Sequence, residues 1–296
     1  MGQLYRRNRG LNTKELNSLR FYQGDVWHYS SDIDQDDLVF FKTERAYQVL
    51  NMLLYPGIEN EISRIKKEHK KIPIQLLKNL PQIFSVYEDI FSAMCKYRIL
   101  AGKRDEIYLY RKDRMQSMDA IRNNCSYSWT SCSIIDEIDE SFQKKDGILL
   151  LEYKVPVGIP HIVINEVLGQ NMYQYQHEVL LPPFLVLKKS ELDITEKEME
   201  YRDINGNPPK AKYLLDVKEI NLYVEKINGS TREEIENFIF DEKNILAAIN
   251  LLKKMKENTE NEEEIKKYSC WKEKIQELVK IKFKEIYDRN GENYYD

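Results

Sequence analysis

Hydrophobic positions along the chain fall into three successive patterns. Up to about residue 100 they recur at intervals of three and four. Ile83, Phe84, Tyr87, Ile90, Phe91 and Met94 make one stripe, so Pro81 to Leu100 is expected to be a core-facing helix with proline in its first turn. Lys42 to Leu54, closed by Pro56-Gly57, and the charged stretch Glu59 to Lys71 are expected to be helical as well.

After Gly102 the apolar positions gather into short runs with little chain between them. Glu106 to Arg111, Ser126 to Ile134, Gly147 to Val155, His161 to Leu168 and Glu178 to Leu187 read as strands. A further pair, Glu198 to Asp203 and Ala211 to Asp216, flanks Asn205-Gly206-Asn207-Pro208, a turn sequence. Connections this short leave little room for crossover helices, so the sheet is expected to be largely antiparallel and the class α+β.

From Ser230 the helical period returns, with Ser230 and Glu233 in capping-box positions. Ile235, Phe238, Ile239, Leu246, Ile249 and Met255 give one apolar face, and Tyr268, Ile275, Leu278, Val279 and Ile286 another, across the polar Glu257 to Glu264 turn. An αα-hairpin docked on the sheet domain or on a partner is expected. The chain then divides into an N-terminal helical part (1–105), a β core (106–228) and a C-terminal helical hairpin (229–296).

Composition narrows the function classes. With 42% hydrophobic and 32% charged residues among 296, the chain is that of a globular protein, more charged than the roughly 25% typical of such domains. A net charge of −4 supplies no global field toward nucleic acid or anionic membrane, although a local basic groove stays open. MGQLYRRNRG has no apolar signal core, and no apolar run is long enough to span a bilayer. The expectation is a cytoplasmic protein without membrane contact, unless another route delivers it into a host cell.

The cysteines Cys95, Cys125, Cys132 and Cys270 form no CxxC pair and are expected to be reduced; His28, His69, His161 and His177 are isolated. Asp32-Ile-Asp-Gln-Asp-Asp37 opens like a calcium loop, but Asp37 stands where glycine belongs and Thr43 where glutamate does. It reads as a solvated acidic turn, and no metal is expected.

Three strand segments carry polar groups beyond what burial requires: Leu109-Tyr110-Arg111, Trp129-Thr130-Ser131-Cys132-Ser133, and Gln176-His177-Glu178 running into Val-Leu-Leu-Pro. Alternation sets Trp129, Ser131 and Ser133 on one face of their strand, with Thr130 and Cys132 on the other, and Gln176 and Glu178 likewise share a face. Each motif alone is weak. An arginine ending a strand is commonly a surface group, and serines often line a wet face.

Their order resembles the mono-ADP-ribosyltransferase family of the arginine–serine–glutamate type, over residues 106 to about 187. In that family an aromatic-Arg pair ends one strand, an aromatic-x-Ser-Thr-Ser strand follows, and a Glu/Gln-x-Glu motif leads into an apolar strand. The resemblance implies a mono-ADP-ribosyltransferase-like core containing an NAD site, with NAD as substrate and no metal. It places Glu178 on the nicotinamide ribose, Arg111 on the diphosphate, and Ser131 as the holder of the glutamate and that ribose, with Ser133 supporting it. Tyr108 or Tyr110 is a candidate neighbour of nicotinamide.

Gln176 stands where arginine-modifying members carry a second glutamate. An amide cannot deprotonate a guanidinium but can hydrogen-bond a neutral amide or a base edge. By resemblance the acceptor is then an asparagine side chain, as for the clostridial Rho-modifying exoenzymes, or a guanine base. Gly169 to Tyr175 would be the target-recognition loop, with Tyr173 and Tyr175 touching the acceptor.

Lys112 replaces a glycine common in relatives and Cys132 the central threonine of the serine motif. Reading Trp129-Thr130-Ser131 as the serine motif instead would put tryptophan at its first position, so the register retaining Ser131 and Ser133 is preferred. The partner expected is a macromolecule, protein or nucleic acid, as for a toxin or effector. The C-terminal hairpin lies outside the resemblance and is either a brace or the seat of an inhibitory or docking partner. The other readings are an NAD glycohydrolase and a non-catalytic binding module on a decayed transferase scaffold.

Overall fold

The computed structural model describes residues 10–29, 32–62, 65, 72–100, 106–114, 124–134, 148–169, 177–189, 212–224 and 230–291. The expected strand Glu198 to Asp203, the Asn205 turn and most of the charged segment after Glu59 lie outside these. Residues 94–221 build one compact unit; 11–93 together with 222–296 build a second.

The first unit holds an α+β arrangement around one sheet. Its strands are β1 (Ile107–Arg114), β2 (Cys125–Ser126), β3 (Thr130–Ser133), β4 (Ile148–Val155), β5 (Ile162–Val163), β6 (Glu178–Leu181), β7 (Leu185–Lys189) and β8 (Lys212–Ile220). They lie in the order β2-β7-β8-β4-β1-β3-β6-β5. Each pairing is antiparallel except β4 with β8, whose separation in sequence leaves room for the crossover a parallel pair needs. Leu109, Leu151, Val179, Leu185 and Leu215 are buried along it.

Three strand expectations are corrected. Ser126 to Ile134 is two strands, β2 and β3, and β2 pairs with β7 while β3 pairs with β6. His161 to Leu168 is a strand only at β5 and continues as the short helix α7 (Ile164–Leu168). Glu178 to Leu187 breaks at Pro182-Pro183-Phe184, because proline offers no N–H to a ladder and Phe184 turns the chain with φ 64°.

The second unit is helical: α1 (Thr13–Tyr22), α2 (Gln35–Thr43), α3 (Ala46–Met52), α4 (Glu59–Ile62), α5 (Ile74–Lys78), α6 (Leu80–Leu100, continuing into the first unit), α8 (Arg232–Phe240), α9 (Glu242–Glu257) and α10 (Glu262–Gly291). Asn12 and Glu15 close a capping box on α1. The expected helix Lys42 to Leu54 is interrupted at Arg45, whose φ of 62° no α-helix accommodates, so Lys42 and Thr43 close α2 and Ala46–Met52 forms α3. The acidic stretch at Asp32 is the turn into α2, and Asp37 accepts a hydrogen bond from Asn79 at 2.8 Å.

The C-terminal helices differ from the expected hairpin in phase. The capping box uses Thr231 and Glu234, one residue later than Ser230 and Glu233. Asp241 then stops α8 in an extended conformation and caps α9, accepting from the Lys243 amide at 2.9 Å. This break resets the helical phase. Phe238 and Leu246 are therefore exposed, at 42% and 49%, and Ala248, Leu251 and Leu252 take the buried side with Ile249 and Met255.

Within this unit α10 packs on the N-terminal helices. Phe283 stacks on Phe91 with ring centroids 4.1 Å apart. Lys282 pairs with Glu88 at 2.7 Å. One turn apart along α10, Tyr268, Lys272 and Gln276 bind the segment from Tyr55 to Glu61: Lys272 meets Glu61 at 2.6 Å and the Gly57 carbonyl at 2.7 Å, Tyr268 donates to Glu61, and Gln276 donates to the Tyr55 carbonyl. Among the described residues no helix is long and apolar enough to cross a membrane.

Candidate active site

The chemistry-bearing positions converge where β1, β3 and β6 run side by side. Ser133 is directly opposite Glu178 across β3 and β6, and Tyr110 is directly opposite Ser133 across β1 and β3. Residues paired this way share a face, so Tyr110, Ser133 and Glu178 form one row, and Ser131, two residues from Ser133, joins the same face. The alternation of β3 agrees: Thr130 and Cys132 are buried, and Ser131 and Ser133 are half-buried. Trp129 precedes the strand and is buried.

Ser131 Oγ donates to Glu178 Oε1 at 2.6 Å. The two lie diagonally across the ladder, since Ser131 is opposite Leu180, and a diagonal of this kind is within reach of a glutamate side chain. Glu178 is buried at 6% exposure, at the first position of a strand buried along its whole length. The hydroxyl thus fixes one carboxylate oxygen in a largely desolvated setting, where hydrogen bonds count for more than in water.

Arg111 reaches the same place by another path. It follows Tyr110, so alternation gives it the opposite face, yet its Nη1 donates to the main-chain carbonyl of Ser131 at 2.7 Å. Carbonyls lie in the plane of a sheet, which lets a long guanidinium reach one from either side. β1 pairs with β4 along its entire length but with β3 only at Tyr110 and Ser133 among the described residues. Beyond that one pair the Arg111 guanidinium spans the two strands. Arg111, Ser131 and Glu178 are consequently joined end to end by two hydrogen bonds.

Of the tyrosines near Arg111, Tyr110 lies in the row with Ser133 and Glu178, whereas Tyr108 is opposite Lys154 and donates to Glu106. Gln176, Tyr173 and Tyr175 lie outside the described residues. No group of His, Cys, Asp and Glu suited to hold a metal ion occurs among the described residues. All four cysteines are free thiols.

Two features near Glu178 escape a reading of residue types. His177, immediately before it, has φ 45°, and its carbonyl accepts from the Ile134 amide at 3.3 Å. Histidine is enriched several-fold among the few non-glycine residues with positive φ, a faint signal that its place before a strand could have raised. Beside β6, His161 Nδ1 donates to the Ile159 carbonyl at 3.0 Å and the ring stands edge-on to Tyr97, whose hydroxyl donates to Glu166 on α7. This brace ties α6 and α7 to the strand that pairs with β6.

No family model matches the chain, and no curated protein matches it. Among solved structures, it is similar to Plx2a, an ADP-ribosyltransferase toxin from Paenibacillus larvae, with 16% identity over 63% of this chain and 100% of that one, at a TM-score of 0.33. It is similar to C3stau2 from S. aureus, solved with NAD, with 12% identity over 62% of this chain and 95% of that one, at a TM-score of 0.32. It is also similar to C2-I, the enzymatic component of the C2 toxin from Clostridium botulinum, with 11% identity at a TM-score of 0.33; the match covers 72% of this chain and 48% of that one.

Proposed function

We propose that the chain is a mono-ADP-ribosyltransferase that moves ADP-ribose from NAD to a macromolecular acceptor other than arginine. The observation that supports this most is the line Arg111–Ser131–Glu178: three motif residues, far apart in sequence and in the family's order, joined by hydrogen bonds of 2.7 and 2.6 Å. A decayed scaffold has no need to keep all three in contact.

Breaking the bond between nicotinamide nitrogen and ribose C1′ sends the bonding pair out with nicotinamide and leaves positive charge on C1′ and its ring oxygen. A carboxylate held beside the ribose stabilises that charge more in the transition state than in the ground state. Glu178 has this role, and Ser131 holds its carboxylate in place. The Arg111 guanidinium, a permanent charge with forked donors, suits the diphosphate. Tyr110 and Ser133 form the wall of the same row.

C1′ then bonds to the acceptor nitrogen, which gives up a proton to solvent. Gln176, two residues before Glu178, orients that acceptor through its amide, which fits an asparagine side chain or a guanine edge. Tyr173 and Tyr175 would contact the acceptor, and Ser131, Ser133, Arg111 and Glu178 the NAD. Among the described residues the contacts of α10 fall on the N-terminal helices of its own unit and not on a sheet face as expected, which supports a bracing role among those helices.

The test incubates wild type and Glu178→Ala with NAD labelled at the adenylate phosphate in a cytosolic extract, then divides the product between protease and nuclease. Label fixed by wild type alone is expected, and the treatment that removes it identifies the acceptor as protein or nucleic acid. Nicotinamide release without fixed label would make the chain an NAD glycohydrolase. Equal, negligible turnover by both proteins would leave a binding role.

A further inference from the structure

We infer that His177 is a positioning residue whose left-handed backbone, and not its imidazole, holds the Glu178 carboxylate against Ser131. The side chain is exposed, while each residue of β6 after it is buried. A φ of 45° is strained for any residue with a Cβ, and here it falls at the peptide that leads into Glu178. Strain of this kind persists only where the surroundings impose it.

The imposing contact is visible. The β3–β6 register runs Cys132 to Val179 and Ser133 to Glu178, and the Ile134 amide, one step beyond, donates to the His177 carbonyl at 3.3 Å. Glu178 is therefore pinned on both flanks: by the ladder at Val179 and by this last bond at His177. The positive φ and the carbonyl's bond to Ile134 thus fall on the same residue. Forcing φ to an extended value requires either the approach of the chain to change or the His177 carbonyl to leave Ile134. The second outcome frees the peptide adjoining Glu178 and loosens the 2.6 Å contact with Ser131.

This separates backbone from imidazole chemistry, because the two rank substitutions differently. Tolerance of positive φ runs Gly and Asn first, then Ala, then β-branched Val. Loss of the imidazole is complete in all four. The inference rests on the transferase reading for its kinetic consequences and on the fold alone for its structural ones, so both are measured on the full chain.

Amide exchange at Ile134 is followed in wild type, His177→Gly, His177→Asn, His177→Ala and His177→Val, with thermal melts to establish that each is folded. Ile134 is expected to stay protected in the Gly and Asn variants and to exchange about tenfold faster or more in the Val variant, with Ala between them. For NAD turnover, Gly and Asn are expected within about threefold of wild type, and Val to lose roughly 10- to 100-fold in kcat with little change in KM for NAD. Should Val fail to fold, the ordering of Gly, Asn and Ala carries the test. Equal protection of Ile134 in all folded variants would overturn the inference, as would equal loss of kcat in Gly, Asn and Val, which would assign the role to the imidazole. If wild type turns over no NAD, the transferase reading fails while the exchange order still decides the positioning role.

Discussion

Two buried glutamates in this protein are held in opposite ways. Glu61, in the helical unit, is 1% exposed and meets the equally buried Lys272 ammonium at 2.6 Å, with the Tyr268 hydroxyl on the same oxygen. Glu178, in the sheet unit, is 6% exposed and meets a serine hydroxyl, itself half-buried, at 2.6 Å. The first carboxylate has its compensating charge built into the fold. The second accepts from a neutral hydroxyl, on the serine whose main-chain carbonyl takes the Arg111 guanidinium. Burial of a carboxylate is common to both, and the contacts that hold each come from different kinds of group: a lysine ammonium on Glu61, a serine hydroxyl on Glu178.

The largest effect expected from breaking this contrast is at Glu178. Glu178→Gln keeps the shape and can still meet Ser131, but removes the charge, so NAD turnover should fall by at least about 10³-fold while the melting temperature stays close to that of wild type. A thermal melt beside a nicotinamide-release assay checks both halves.

The mirror-image change is at the ion pair. Lys272→Met leaves the Glu61 carboxyl buried beside no cation and should cost about 3–5 kcal/mol of stability, whereas Glu61→Leu with Lys272→Met should recover much of that loss. Denaturant titration of the single and double variants measures the difference. NAD turnover per folded molecule should be unaffected in both.

Smaller effects sharpen the site. Arg111→Lys retains the charge but loses the fork, and should weaken NAD binding by about tenfold or more, read as a rise in KM exceeding the fall in kcat. Ser131→Ala deletes the hydroxyl that holds Glu178 but leaves the carbonyl that Arg111 uses, so kcat should fall by roughly tenfold with KM for NAD little changed. Steady-state kinetics on the two variants distinguishes these signatures.

The smallest effect is a pH dependence at Glu61. Burial holds its carboxyl above the ordinary glutamate value of 4.5, against the opposing pull of Lys272. In the window above 4.5 and below that raised value the folded protein binds more protons than the unfolded chain, so this group's contribution to stability falls as pH rises through it. Stability curves of wild type and the Glu61→Leu, Lys272→Met double variant across mildly acidic pH should differ in slope in that sense.

What the sequence disclosed follows the same division. Arg111, Ser131 and Glu178 could be named from motif order, but that Ser131 meets the glutamate while Arg111 takes a main-chain carbonyl depends on strand register, which residue types do not specify. The α+β class and the long helix α6 were legible because their periods are sustained over many residues. The breaks at Arg45 and Asp241 were not, since a single residue with non-helical backbone is enough to reset the phase, and Phe238 and Leu246 moved to the surface as a result. Pro182-Pro183, which offers no ladder donors, marks in the sequence the end of β6 at Leu181. The Glu61–Lys272 pair was illegible because its partners come from opposite ends of the chain and nothing local marks them.

The most direct test of the central claim is nicotinamide release from NAD by purified wild type and Glu178→Gln under identical conditions, with both shown to be folded. The account predicts steady release by wild type and a rate at least about 10³-fold lower for the variant. Comparable rates for the two proteins would contradict it, because the hydrogen-bonded line ending at Glu178 would then have no part in breaking the glycosidic bond.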